Sequence, residues 1–333
     1  MSFRFRSILT LTLLCLVAAG SVGHAADGPE GGTLSLIFEN DLFYGEDRNY
    51  TNGVRAAWLS PPSKPFDLAI RAADLVPMFP ADGKVRTTYA IGQNMYTPPD
   101  ITLSDPPAGS RPYAGWLYAS LGVIAETGNQ LDQLEFTLGI IGPGSLAQQT
   151  QKFIHRYSDS DQPRGWSTQI GSEPGLVATY QKTLRRFIYE ESFGGFGFDV
   201  APHIGGALGN VYTYANSGVT FRFGSPLPLD YGPPRIQPSL PGSGFFEPAQ
   251  GFGWYLFAGA EGRAVARNIF LDGNTFGSSR SVEKKNLVAD IQYGVALTWN
   301  TTRVSFAAVR RSREFEGQPR GDQFGTLSVS MQF

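Results

Sequence analysis

The sequence predicts an all-β fold: an antiparallel transmembrane β-barrel of about twelve strands, with a short helix in an extracellular loop. Three observations predict it. Apolar and polar residues alternate with period two in segment after segment, as strands with one face in lipid and the other in a lumen require. The amino terminus reads as a secretory leader, and past it no stretch reaches the roughly 18 to 20 consecutive apolar residues of a spanning helix. The last residue is Phe333, an aromatic ending common among outer-membrane barrels.

Residues 1-26 carry Arg4 and Arg6 ahead of the apolar run Ile8 to Ala19, followed by Gly23-His24-Ala25-Ala26, the pattern of a signal peptide. Cleavage there removes Cys15, the single cysteine, so residues 27-333 are expected to form one barrel domain without disulfides. A formal net charge of −2 offers no electrostatic footprint for nucleic acid. Charged residues are sparse at 17%, while aromatics reach 13% and glycines number 40, a composition that directs attention to a wall rather than a charged surface.

The expected strands lie near 32-40, 50-60, 86-96, 113-126, 131-141, 174-189, 196-208, 211-224, 252-265, 286-299, 302-314 and 322-333. The clearest runs Leu287, Ala289, Ile291, Tyr293, Val295, Leu297 and Trp299 on one parity, against Val288, Asp290, Gln292, Gly294 and Thr298 on the other. Leu134, Phe136, Leu138 and Ile140 alternate in the same way with Gln133, Glu135, Thr137 and Gly139. A soluble β-sandwich also alternates, and parity alone does not say which face meets lipid. The leader, the aromatic strand ends and Phe333 favour the barrel. With both termini in the periplasm, the loops 41-50, 97-112, 142-173, 209-211, 266-285 and 315-321 lie on the outer side. The periplasmic connections are short except 61-85 and the proline-rich 225-251, which exceed the usual length of structureless connections.

Polar chemistry gathers at the outer rim. After Gly142-Pro143-Gly144, Ser145 is placed to cap a helix with Gln148 as the third residue of a capping box, running to about Arg156. Gln148, Gln151 and His155 then share a face. With His24 in the leader, the remaining imidazoles are His155 and His203, the latter mid-strand on the lumen parity. Glu39-Asn40-Asp41 closes the first strand, Tyr50-Thr51-Asn52-Gly53 opens the second, and Arg111 precedes the fourth. Counting from Leu34, Leu36 and Phe38, Glu39 and Asp41 fall on the polar side and Asn40 faces outward. Asn40 and Asp41 equally suit a plain turn, and Glu46, Asp47 and Arg48 a solvated loop tip.

No Gly-x-Ser-x-Gly frame and no histidine or cysteine cluster suggests a serine hydrolase or zinc. Carboxylate and amide oxygens near a loop suit calcium, with Asp41 as the candidate ligand. A histidine base with a hard cation is one way to hydrolyse an ester by activated water.

Glu39-Asn40-Asp41, Tyr50-Thr51-Asn52-Gly53, Gln93-Asn94-Met95-Tyr96-Thr97-Pro98, Arg111-Pro112-Tyr113-Ala114-Gly115-Trp116, and Ile141-Gly142-Pro143 followed by Gln151 and His155 resemble, in order and spacing, the lipid A deacylase family of outer-membrane proteins. Gly165-Trp166, Gln169 and Glu173-Pro174-Gly175 continue the resemblance over nearly the whole mature chain. It implies a barrel in the bacterial outer membrane that removes, with calcium, the 3′-O-linked acyloxyacyl chain of lipid A in the outer leaflet. It also implies active-site roles for Asn40, Asp41, Thr51, His155 as general base and Asp161, six positions after the histidine. Three departures stand out: Asp161 replaces the family's glutamate, Pro163 replaces a tyrosine, and a lysine of the second outer loop has no counterpart between Pro98 and Arg111. Gln151 and Arg111 are the substrate-binding candidates, Arg111 either as a bidentate phosphate donor or as the partner of an inner-rim carboxylate. A phospholipase or other acyl hydrolase, and a non-enzymatic pore or structural barrel, are the alternatives. The bulky inward residues Tyr255, Phe257, Arg263 and Arg311 argue for a filled lumen, and the oligomeric state is left open.

Overall fold

A computed structural model describes residues 31–41, 49–62, 66–73, 76, 79–80, 83–158, 160–191, 195–228, 230–236, 245 and 249–333. The expected leader, with Cys15, and the loop tip Glu46 to Arg48 lie outside the described residues. The strands are β1 (Thr33–Asn40), β2 (Asn49–Leu59), β3 (Lys84–Thr97), β4 (Ala114–Thr127), β5 (Gln130–Ile141), β6 (Glu173–Leu184), β7 (Ile188–Glu191), β8 (Gly197–Gly209), β9 (Tyr212–Ser225), β10 (Ala249–Asn268), β11 (Leu287–Asn300), β12 (Thr302–Arg311) and β13 (Asp322–Gln332). The helices are α1 (Asp67–Ala73), α2 (Ala147–Ser158) and the single turn α3 (Ile269–Asp272).

Neighbouring strands pair antiparallel, and β1 pairs with β13, Thr33 opposite Gln332 through Asn40 opposite Gly325. On the far side β8 pairs with both β6 and β7, so the sheet closes and no edge is left exposed. β6 and β7 are two pieces of one stave, parted where Arg186 turns to a positive φ of 50°. The barrel therefore has twelve staves, and the strand expected at 174-189 is this interrupted pair. The strand expected to reach 314 stops at Arg311, because Glu314 turns inward to meet two arginines.

Burial follows parity in the sense a membrane demands. Leu138 (59%), Ile204 (61%) and Ile291 (57%) are exposed, while Asp199, Arg222, Glu261, Asp290 and Arg303 are buried. A soluble sandwich would show the reverse, and no helix among the described residues is long and apolar enough to cross a membrane. Charges taken out of water must be paired, since an isolated one costs several kcal/mol. The lumen pairs them: Arg263 with Glu261 (2.6 Å) and Asp290 (3.0 Å), Arg311 with Asp290 (2.8 Å), and Arg55 with Glu135 (2.5 Å).

The long connections have distinct uses. Residues 230–236 do not hang below the barrel; they enter it. Asp230 accepts from Arg222, from Arg303 (2.6 Å) and from Tyr255 (3.1 Å). Arg235 climbs to Glu39 (2.8 Å) and Gln292 (2.6 Å), near the opposite rim. Glycine at position 53 permits this approach, because a Cβ there would lie 2.2 Å from the Tyr50 hydroxyl and 2.9 Å from Ile236 Cδ1. Tyr231 and Phe245 pack with Leu59, Ile124 and Leu131 lower in the lumen. A cavity of about 80 Å³, bordered by Ser35, Arg55, Glu135 and Arg235, holds space for a few waters. In the other long connection, 61-85, Ala69 and Ala73 of α1 pack on Val123 and Leu134 of the outer wall.

Candidate functional site

Strand register builds one side of the site. Asn40 lies opposite Asn52, Asn52 opposite Met95, and Met95 opposite Gly115, so the four form a row across β1 to β4. Directly opposed residues of antiparallel strands point to the same face. That face is the outer one, because Asn52 shares its parity with the exposed Val54 and Met95 with the exposed Ile91. Asn40 thus faces outward, as parity from Leu34 predicts. Asn40, Asn52 and Met95 are nevertheless buried, so the outer wall is covered here.

The cover is the loop that carries α2. Gln93 Nε2 donates to the Ser145 carbonyl (2.7 Å), and a Cβ on Gly115 would come within 2.3 Å of Ala147 Cβ, so only glycine lets the helix sit this close. Met95 packs with Ile101, Tyr113, Ala147 and Trp166. The expected capping box is not formed. Residues Gly142–Ser145 make a 3₁₀ turn, Leu146 adopts a left-handed φ of 60°, and the helix starts at Ala147. Ser145 Oγ donates to the Gly142 carbonyl (2.6 Å) and accepts only weakly from Ala147 N (3.4 Å). The later start shifts the buried face to Ala147, Gln151 and His155, leaving Gln148 half-buried. Phe153 and Tyr157 project on the opposite face, edge to face at 5.1 Å.

Two side chains on the buried face are oriented by chemistry that leaves no choice of atom. His155 Nδ1 lies 2.6 Å from the Asp161 carbonyl oxygen. A carbonyl can only accept, so Nδ1 carries the proton and the lone pair of the neutral ring resides on Nε2. The contribution of Asp161 is thus its backbone oxygen, and its side chain is exposed. Gln151 Oε1 accepts from Trp166 Nε1 (2.7 Å). Indole can only donate, which identifies the other Gln151 atom as Nε2, and that buried nitrogen has no hydrogen-bond partner in the protein.

Thr51 sits in a bulge between Tyr50 and Asn52 and exchanges a hydrogen bond with Thr97 (2.7 Å). Its neighbour Tyr50 points into the lumen and donates to Glu39 (2.8 Å). Asp41, directly after β1, is buried. Asn40, Asp41 and Thr51 therefore cluster at the outer ends of β1 and β2, and Gln151 and His155 occupy the helix face that packs on the adjacent wall.

Arg111 is elsewhere. It is fully buried on the lumen face of the outer rim, donating to Glu314 (2.8 Å), 3.9 Å from Asp322 and stacked 4.9 Å from the Tyr96 ring. Of its two expected roles, this geometry is that of the ion pair with a carboxylate. Burial pushes the Glu314 carboxyl up, but Arg111 and Arg311 overcome that and hold it below the usual carboxylate range. Its partner Glu314 was not foreseen, since nothing local in 315-321 or at the end of β12 marks it. His203 also lies in the lumen, its Nε2 3.0 Å from Glu261, remote from the outer-wall cluster.

Among the described residues no group of three or more histidine, cysteine, aspartate or glutamate side chains converges as a metal cluster. The donors at the β1 and β2 ends are one carboxylate, Asp41, with the amide and hydroxyl oxygens of Asn40, Asn52 and Thr51. A hard cation with flexible oxygen coordination fits such a set, and a thiophilic metal does not. The Asn52 Oδ1, buried and without a hydrogen-bond partner in the protein, is one oxygen still able to serve.

Among solved structures, LpxR from Salmonella typhimurium superposes with a TM-score of 0.74 at 18% identity, covering 90% of this chain and 100% of that one. The β domain of the Bordetella autotransporter BrkA covers 91% of this chain and 100% of its own at 10% identity, with a TM-score of 0.45. No curated protein matches by sequence. The model of the family described as outer membrane protein LpxR matches residues 9–333, and the chain belongs to that family of outer-membrane β-barrels.

Proposed function

We propose that the protein is a lipid A deacylase, hydrolysing the 3′-O-linked acyloxyacyl ester with a water activated by His155. The observation that carries this reading is the His155 geometry: a buried imidazole on the lipid-facing side of the wall, its Nδ1 held 2.6 Å from the Asp161 carbonyl oxygen, which fixes the orientation of the ring. His155 Nε2 accepts a proton from water as its oxygen attacks the acyl carbon, and returns that proton to the departing sugar oxygen. One ester and one water yield one acid and one alcohol. Calcium, held by Asp41 with oxygens of Asn40 and Thr51, would supply positive charge beside the developing oxyanion.

Dimensions support the assembly. The helix face from Ala147 to His155 is about 12 Å long at 1.5 Å per residue. From Gly115 on β4 to Asn40 on β1 is roughly 14 Å at three strand spacings. The two lengths match, so a helix anchored with Ala147 on Gly115 is long enough for its far end to span the row.

A different acyl specificity is the second reading, favoured by Arg111 being engaged with Glu314 rather than presented to a phosphate. Mass spectrometry of lipid A from cells expressing wild type or His155→Ala, with and without a calcium chelator, tests both. Loss of the 3′ acyloxyacyl mass with wild type alone, and its suppression by chelation, is expected. Release of a different acyl group selects the second reading.

A further inference from the structure

We propose that Asn52 is a further catalytic residue of this site, its side-chain amide donating a hydrogen bond to the acyl carbonyl oxygen as that oxygen becomes an oxyanion. The proposal rests on the hydrolase reading above and adds a group to it.

Asn52 is 3% exposed, yet neither Oδ1 nor Nδ2 has a hydrogen-bond partner in the protein. Buried amides are normally satisfied, and leaving both ends unpaired opposes folding. The contrast with its surroundings is sharp. Glu39, one strand away on the other face of the wall, accepts from Arg235, Ile236, Thr326 and Tyr50. Asn52 points instead to the outer side, between Asn40 and Met95 in the strand row, and Met95 packs against Ala147 and Trp166. It therefore lies under the helix-bearing loop, where the lipid ester would enter.

A second amide is carried by the helix that covers this wall. Trp166 holds Gln151 so that Nε2 is its unpaired end, in the same interface of loop and barrel. Asn52 on the barrel and Gln151 on the helix are thus two buried amides that each keep an unpaired N–H in this interface. Donors fixed in place before reaction stabilise charge that exists only in the transition state, so their removal falls on kcat. The unpaired state of Asn52 is the stability cost of keeping a donor ready.

The test uses the full-length barrel in detergent with lipid A as substrate, comparing wild type, Asn52→Leu and Asn52→Asp. In Asn52→Leu, kcat should fall by about 10²- to 10³-fold with KM nearly unchanged. Its melting temperature should equal or exceed that of wild type, because an unsatisfied polar group has been replaced by an apolar one of similar size. Asn52→Asp, which keeps the shape but loses the donor, should be as inactive as Asn52→Leu. Asn52→Leu with near-normal kcat, or with a lowered melting temperature matching its activity loss, overturns the proposal. So does an active Asn52→Asp, which would make the oxygen the working atom. If wild type does not deacylate lipid A, the deacylase reading fails, and the same variants are read on a phospholipid ester. If wild type hydrolyses neither, the Asn52 proposal falls too.

Discussion

Arg235, on a segment that enters the barrel from the periplasmic side, donates through Nε to Glu39 at 2.8 Å, and Glu39 immediately precedes Asn40 and Asp41. The plug is therefore bonded to the inner face of the strand whose outer end carries the candidate site. Removing one partner leaves a buried charge unpaired, which costs roughly 3 to 5 kcal/mol. Arg235→Ala should accordingly lower stability by an amount of that order, measured by denaturant unfolding in detergent. Glu39→Gln combined with Arg235→Met should cost much less, because neither charge then remains buried alone.

Twelve staves alone leave space for a narrow channel, but Asp230, Tyr231 and Arg235 occupy it. Planar bilayer recordings of the wild type should show no steady conductance. Replacing residues 226–236 by a short glycine-serine linker should open one, provided the barrel still assembles. Steady wild-type currents would mean that the segment leaves the lumen in a membrane.

Asp161 meets His155 through its carbonyl oxygen, not its carboxylate. Asp161→Asn should therefore keep activity within about tenfold of wild type, measured as kcat/KM on lipid A. A loss as deep as that of His155→Ala would assign the work to the side chain.

The Arg111–Glu314 pair has a pH signature. Glu314, with an ordinary value of 4.5, is held lower in the folded protein, although burial alone would raise it, because Arg111 and Arg311 prevail. A carboxyl depressed on folding contributes stability above its unfolded value and loses that contribution as pH falls through the folded one. Thermal stability should thus decline as pH drops below about 4.5, and Glu314→Gln should flatten that part of the curve. An unchanged acid limb in the variant would show that other carboxyls dominate.

Strand parity was legible because lipid and lumen impose opposite requirements on alternate residues, and Leu287 to Trp299 records that directly. The position of Asn40, Asp41 and Thr51 at one end of the first two strands was legible because it follows from counting strands. The placement of Asp230 and Arg235 was not, since their partners Glu39, Arg222, Gln292 and Arg303 are set by the closed lumen and not by neighbours in sequence. The α2 face was displaced because Leu146 takes a left-handed turn that favours glycine, and no local rule announces it. Arg111 admitted two partners, and only the fold brought Glu314 within reach. Asn52 was read only as part of the opening of the second strand, because its burial on the outer wall without a hydrogen-bond partner in the protein follows from the covering loop and not from its neighbours in sequence.

The most direct measurement is the mass of lipid A from cells expressing either wild type or His155→Ala, with both proteins folded in the outer membrane to equal levels. Wild type should remove the 3′ acyloxyacyl group and His155→Ala should leave it in place. Identical deacylation by the two proteins, or none by the wild type, would contradict the account.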